Sequence, residues 1–167
     1  MGRLYLLRHA KAKWALPGVR DFDRPLEESG RVDAGRIGIE MRMRGYVPDV
    51  TLCSTALRAR ETLQEVAGEA DTGRVVFNER LYSEDAAAYL DLVRNNAAGG
   101  SILVIGHNPM MEDLATALSS DGEPPALATL GLGFPTAGLA VIGFPGTLDK
   151  AAPGKGRLEA FHIPAGT

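Results

Sequence analysis

Apolar residues along this chain fall into short runs, separated by longer stretches in which apolar, small and charged positions are mixed. Leu4-Tyr5-Leu6-Leu7, Val50–Cys53 and Ile102–Ile105 read as buried strands, and Val75–Phe77 as a briefer one. Glu27–Arg44, Thr55–Ala67, Glu84–Asn96 and Met110–Leu118 read as helices between and after them. Gly45 with Pro48 beyond it ends the first helix, Ser54 or Thr55 caps the second, and Gly99-Gly100 stops the third. Lys11–Pro25 is irregular, and Asp121–Ala137, rich in Gly and Pro, reads as a loop. Leu139–Phe144 and Leu158–Ile163 are strand-like and predict a terminal antiparallel hairpin. The order predicts an α/β fold of three layers, α/β/α. Its central sheet is mostly parallel, helices cover both faces and a C-terminal hairpin closes the chain.

Composition narrows the class without naming a chemistry. The 167 residues fit one domain over 1–167, and 45% hydrophobic with 23% charged residues is ordinary for a globular protein. A net charge of −3 gives no chain-wide attraction for nucleic acid or anionic membrane, so neither is expected as a partner. The single cysteine, Cys53, cannot form an internal disulfide, which suits a reducing compartment. Leu4–Leu7 is too short for a signal-peptide core, and no apolar stretch approaches the roughly 18 residues of a membrane span. A cytoplasmic location is expected.

The chemistry gathers where strands end. Arg8-His9 closes the first strand, and Gly106-His107-Asn108-Pro109 closes the Ile102–Ile105 strand. Leu52-Cys53-Ser54-Thr55-Ala56-Leu57-Arg58 passes from a strand into a helix with Arg58 in its first turn. In open α/β sheets ligands bind outside the carboxyl ends of strands, so two histidines and two arginines at three such ends describe a phosphate site. Other chemistries fit less well. The C-x5-R spacing of cysteine-dependent phosphatases, counted from Cys53, would put the arginine at Ala59, between Arg58 and Arg60. Three dispersed histidines and one cysteine lack the spacing of a zinc site, so no metal or other cofactor is expected.

These segments resemble the histidine phosphatase superfamily, with its phosphoglycerate mutase-like fold. Leu6-Leu7-Arg8-His9-Ala10 looks like its RHG/RHA signature, Ser54 through Thr62 like its S-x-x-x-R-A-x-x-T segment, and Gly106-His107-Asn108 like its second-histidine segment. Lys11-Ala12-Lys13-Trp14, Asp23-Arg24-Pro25-Leu26 with Gly30, and Phe134-Pro135-Thr136-Ala137-Gly138 extend the likeness to the small SixA-type phosphohistidine phosphatases. The resemblance implies His9 as nucleophile, Arg8, Arg58 and His107 around the phosphoryl group, Asn108 as a further phosphate contact and Glu79 as acid/base. Glu84 and Asp85 compete with Glu79 for that last role. An asparagine often found in the family shortly after the RHG segment has no counterpart, since Ala15 follows Trp14.

Physical chemistry assigns compatible tasks. A phosphoryl group in transfer spreads negative charge over its oxygens, so catalysis is positioning plus charge stabilisation. Arg8 and Arg58 present planar donor forks, and a helix start adds backbone N–H groups to Arg58. The same cations hold His9 neutral and nucleophilic. His162, Arg60, Arg80 and Arg94 belong to no motif and read as structural or solvated. Lys11 and Lys13 read equally as a cleft mouth or a solvated loop, and Trp14 as a mouth wall or a core anchor. Asp23 and Arg24 are expected to brace their loop.

Larger members of the family carry a helical insertion over the site, and here only Gly68–Gly100 separates the Arg58 helix from the His107 strand. An uncovered cleft suits a bulky substrate and hydrolysis. The expected function is therefore a metal-independent phosphatase acting on protein phosphohistidine, with a phosphorylated carrier or relay domain as partner. The alternatives are a phosphatase of small phosphomonoester metabolites, which needs Glu79 as a working acid, and a phosphate-binding module without turnover.

Overall fold

The computed structural model describes residues 1–164. Seven strands form one sheet: β1 (Gly2–Arg8), β2 (Val50–Cys53), β3 (Arg74–Phe77), β4 (Ser101–Gly106), β5 (Ser119–Gly122), β6 (Leu139–Phe144) and β7 (Gly156–His162). Their spatial order is β3-β2-β4-β1-β6-β7-β5. β3, β2, β4 and β1 run parallel; β6 is antiparallel to both β1 and β7, and β5 is parallel to β7. Six helices complete the described chain: α1 (Glu28–Arg44), α2 (Leu57–Ala67), α3 (Arg80–Ser83), α4 (Ala86–Asn95), α5 (Met110–Leu118) and α6 (Pro124–Gly131).

Alternation along the central strands divides the core into two layers. Leu4 and Leu6 of β1, with Ile102 and Val104 of β4, face Tyr89 and Leu92 of α4 and Leu114 of α5. Tyr5 and Leu7, with Leu103 and Ile105, face Ile37 and Met41 of α1 and Leu63 and Val66 of α2. Both faces of β1 and β4 are covered, which is why these strands read as unbroken apolar runs.

The segment from Asp121 to Ala137 departs from the expected loop. It holds the end of β5 and the whole of α6, which begins with prolines at its first two positions, where a missing N–H is harmless. Ala126 and Leu130 bury that helix against the first core layer. Few residues and a high Gly/Pro content hide such an element from periodicity. The helix expected from Thr55 starts at Leu57, with Ser54 and Thr55 lying before it. The strand pair at the C-terminus is antiparallel as predicted, with β5 added at its outer edge.

Candidate active site

The parallel register of β1 and β4 pairs Arg8 with Gly106, so His9 and His107 emerge side by side at the same sheet edge. Their rings lie 5.1 Å apart, centroid to centroid. Gly106 is required by packing: a Cβ there would sit 2.6 Å from the Tyr89 hydroxyl oxygen. That hydroxyl donates to the Leu81 carbonyl and accepts from the His107 N–H at 3.1 Å, fixing the backbone at the strand end. On the other side of β1, the Ala137 N–H donates to the Arg8 and His9 carbonyls at 3.1 and 3.2 Å. Ala137 holds a left-handed φ of 58°, an uncommon state for a residue with a Cβ.

The spacing of Ser54, Arg58 and Thr62 now has a physical reason. Ser54 follows β2 and places its Oγ 2.8 Å from His107 Nε2. Arg58 lies in the first turn of α2. Thr62, one turn on, donates to the Arg58 carbonyl at 2.8 Å and accepts from the Ala10 N–H at 3.0 Å. One helix face thereby ties the Arg58 turn to the segment that follows His9. Gly30 of α1 serves the same segment, since a Cβ there would meet the Lys11 carbonyl at 2.2 Å.

Arg8, His9, Arg58, His107 and Asn108 line one cleft of about 600 Å³, together with Asp21, Tyr82, Trp14 and Lys11. The His9 Nδ1–H donates to the Ala10 carbonyl at 2.7 Å, which fixes the tautomer and leaves the lone pair on Nε2. Arg8 donates through Nη1 to the Phe134 carbonyl at 2.8 Å. The Nε–H groups of Arg8 and Arg58 are buried without a hydrogen-bond partner among the described residues. Buried donors of this kind cost stability unless something accepts from them. Asn108 uses its side-chain oxygen on the Glu112 N–H and its amide on the Phe134 carbonyl, so it is partly engaged within the protein.

Burial, opposed by the Ala10 hydrogen bond and reinforced by His107, Arg58 and Arg8, lowers the pKa of His9 to about 3. Burial and Arg58 lower that of His107 to about 4, with Asp21 acting in the opposite direction. Both rings are therefore neutral at pH 7. In the unfolded chain they take up protons near pH 6.5, so the unfolded state binds more protons than the folded one below that pH. Stability is expected to fall as pH drops from about 6.5 towards 3. Thermal melts from about pH 7 to 4 should show a falling Tm, with a shallower slope in His107→Asn; equal slopes would exclude this cause.

The expected acid is elsewhere. Glu79 is exposed at the start of α3 and does not line the cleft. Asn78 accepts from the Arg80 N–H and sets the entry to this short helix, which turns Tyr82, not Glu79, towards His107. Of the competitors, Glu84 pairs with Arg80 and Asp85 caps α4 through the Ala88 N–H. The one carboxylate lining the cleft among the described residues is Asp21, on a 3-10 turn inside the irregular stretch, which sequence reasoning did not select. Only its nearness to Arg24-Pro25-Leu26 could have signalled it. Ser54, Thr62 and Tyr82 were likewise unassigned, although the first two stand at the fixed ends of the S-x-x-x-R-A-x-x-T segment.

Other expectations find their places. Trp14 is 86% exposed and forms a wall of the cleft mouth, as does Lys11. Arg24 braces its loop through the Lys13 carbonyl and Asp21, and Asp23 through Arg20. His162 bridges Tyr46 and Glu40 far along β7, and Cys53 is buried with its thiol pushed up to about 12 by that burial. Among the described residues no group of three or more His, Cys, Asp or Glu is arranged to hold a metal ion.

The fold, the paired histidines and the arginine at a helix start together define a histidine phosphatase architecture. The family model of the histidine phosphatase superfamily (branch 1) matches residues 4–88, and the chain belongs to that superfamily. Within it the likeness is to SixA. A crystal structure from Agrobacterium tumefaciens, named for the phosphohistidine phosphatase SixA, superposes with a TM-score of 0.82 at 39% identity, over 98% of this chain and 99% of that one. A protein histidine phosphatase SixA complexed with tungstate shares the fold, with a TM-score of 0.79 at 22% identity over 97% of each chain. An uncharacterized protein of Mycobacterium tuberculosis is 36% identical over 163 residues, 95% of this chain and 99% of its own. Phosphatase activity follows from this membership.

Proposed function

We propose that this phosphatase works without a metal, through a phosphohistidine on His9, and that its substrate is protein phosphohistidine. The observation that carries this reading is the state of His9. Its ring is neutral, its Nδ1–H is committed to Ala10, and its free Nε2 lone pair belongs to a cleft lined by two arginines, Arg8 and Arg58.

His9 Nε2 attacks phosphorus, and Arg8 and Arg58 take the charge that develops on the phosphoryl oxygens. His107, oriented by Ser54, stands beside His9 in the cleft, their ring centroids 5.1 Å apart. Water then cleaves the P–N bond to His9 and releases phosphate. An alkoxide leaving group needs a proton, yet the cleft carboxylate, Asp21, has its pKa lowered to about 2: partial burial pulls upwards, but hydrogen bonds from Arg24 and Tyr82 and the Arg58 charge outweigh it. An imidazole leaves more readily than an alkoxide, so this cleft favours phosphohistidine over esters. Between α2 and β4 the chain holds only β3, α3 and α4, and the cleft mouth is open to a bulky substrate. The SixA names of similar structures agree with this reading.

Phosphate release from a histidine-phosphorylated carrier protein and from a set of small phosphomonoesters, without added metal, tests the assignment. The expected result is preferential release from the carrier. Preference for a small ester would move the function to a metabolite phosphatase and reopen the question of the acid.

A further inference from the structure

The cleft of a phosphatase binds anions, and a carboxylate inside it opposes that task. Asp21 nevertheless sits there, held by two helices and by its own turn. Its Oδ2 accepts from Arg58 Nη2 of α2 at 3.1 Å and from the Tyr82 hydroxyl of α3 at 2.9 Å. Its Oδ1 accepts from Arg24 Nη1 at 3.0 Å, and its backbone carbonyl accepts from Arg58 Nη1 at 2.8 Å. A carboxylate offers about four acceptor directions. Three are filled by these donors and one, on Oδ1, is left, on a side chain 53% exposed at the cleft.

We propose that this remaining acceptor site binds the ring N–H of a leaving imidazole, which makes Asp21 a specificity residue for N-phosphoryl over O-phosphoryl substrates. The inference rests on the phosphohistidine reading above. When His9 Nε2 attacks, the P–N bond to the substrate ring breaks and its electron pair returns to that ring nitrogen. With a proton on the other ring nitrogen, neutral imidazole departs. Without it, the leaving group is an imidazolate, which is far more basic. A carboxylate accepting that N–H keeps the proton on the ring, because a nearby negative charge favours the cationic form. The enzyme's own ring has the matching arrangement: His9 Nδ1–H donates to the Ala10 carbonyl, so the cation formed when Nε2 takes the phosphoryl group is also held by an acceptor. Each ring in the transfer then has one acceptor for its N–H. An ionised carboxylate gives no proton to an ester oxygen, so the same residue discriminates against esters.

The test compares wild type, Asp21→Asn and Asp21→Glu on N-phosphorylimidazole and on an aryl phosphate. The groups facing Asp21 are Arg58, Tyr82 and Arg24, with His107 feeling its charge, so each variant is also checked by thermal melting. Asp21→Asn is expected to lower the phosphorylimidazole-to-ester ratio of kcat/KM by about tenfold or more, because the amide oxygen still accepts but no longer carries the charge that strengthens the hydrogen bond. The alkaline limb of kcat on phosphorylimidazole should move to lower pH, and Asp21→Glu should restore part of both effects. Equal losses on the two substrates would mean that Asp21 acts only by orienting Arg58, and would overturn the proposal, as would no loss on either. A wild-type enzyme inert to phosphorylimidazole, or equally active as His9→Ala, would instead remove the phosphohistidine reading itself.

Discussion

His9→Ala is expected to abolish turnover, with kcat falling on the order of 10⁴-fold or more, the scale seen when a nucleophile is removed from an assembled site. No neighbouring ring can take over. His107 lies 5.1 Å away between centroids, but its Nε2 is committed to Ser54 Oγ at 2.8 Å. The loss should appear on every substrate, because the proposed chemistry routes each phosphoryl group through Nε2. Rapid acid-free quenching after exposure to phosphodonor should trap an acid-labile phosphoenzyme in wild type and none in the variant. Turnover that survives the substitution would sink the covalent mechanism. Thermal melting checks that the variant folds.

Arg58→Lys is expected to fall almost as far as Arg58→Ala, by about 10² to 10³-fold in kcat/KM, the range for losing one donor to developing negative charge. The guanidinium serves three directions at once. Nη1 and Nη2 hold the Asp21 carbonyl and carboxylate, while the buried Nε–H has no partner among the described residues. A single ammonium on a flexible stem cannot occupy these positions together. The alanine variant additionally leaves Asp21 in the cleft with only Arg24 and Tyr82, so anion binding should weaken as well as turnover. Kinetics with saturation by inorganic phosphate as competitor would separate the two effects. A lysine variant that keeps most of the activity would show that charge alone suffices.

Much of this architecture was legible because the central strands are buried on both faces. Unbroken apolar runs at Leu4–Leu7 and Ile102–Ile105 mark such strands without ambiguity, and the residues at their ends must then share a sheet edge. The helix carrying Arg58 was legible from its amphipathic pattern, though its start was not: Ser54 and Thr55 have the composition of caps, whereas Ser54 Oγ faces His107 and accepts from the Ala56 N–H. The α6 helix was hidden by its prolines and glycines, and its stability comes from Ala126 and Leu130 meeting a core that the local sequence does not describe.

The sequence by itself determined the α/β class, the strand ends that carry Arg8, His9 and His107, and the turn that carries Arg58. Those features follow from local hydrophobic period and from residues adjacent in the chain. Only the tertiary structure decided that Asp21, from an irregular segment, enters the cleft while Glu79 stays outside it. Both placements depend on contacts between segments far apart in the chain: Asp21 meets Arg58 and Tyr82, and Asn78 sets the turn that points Tyr82 inwards. A loop without period carries no local signal of where it will dock, so its charge becomes part of the site only when helices α2 and α3 supply the donors that hold it.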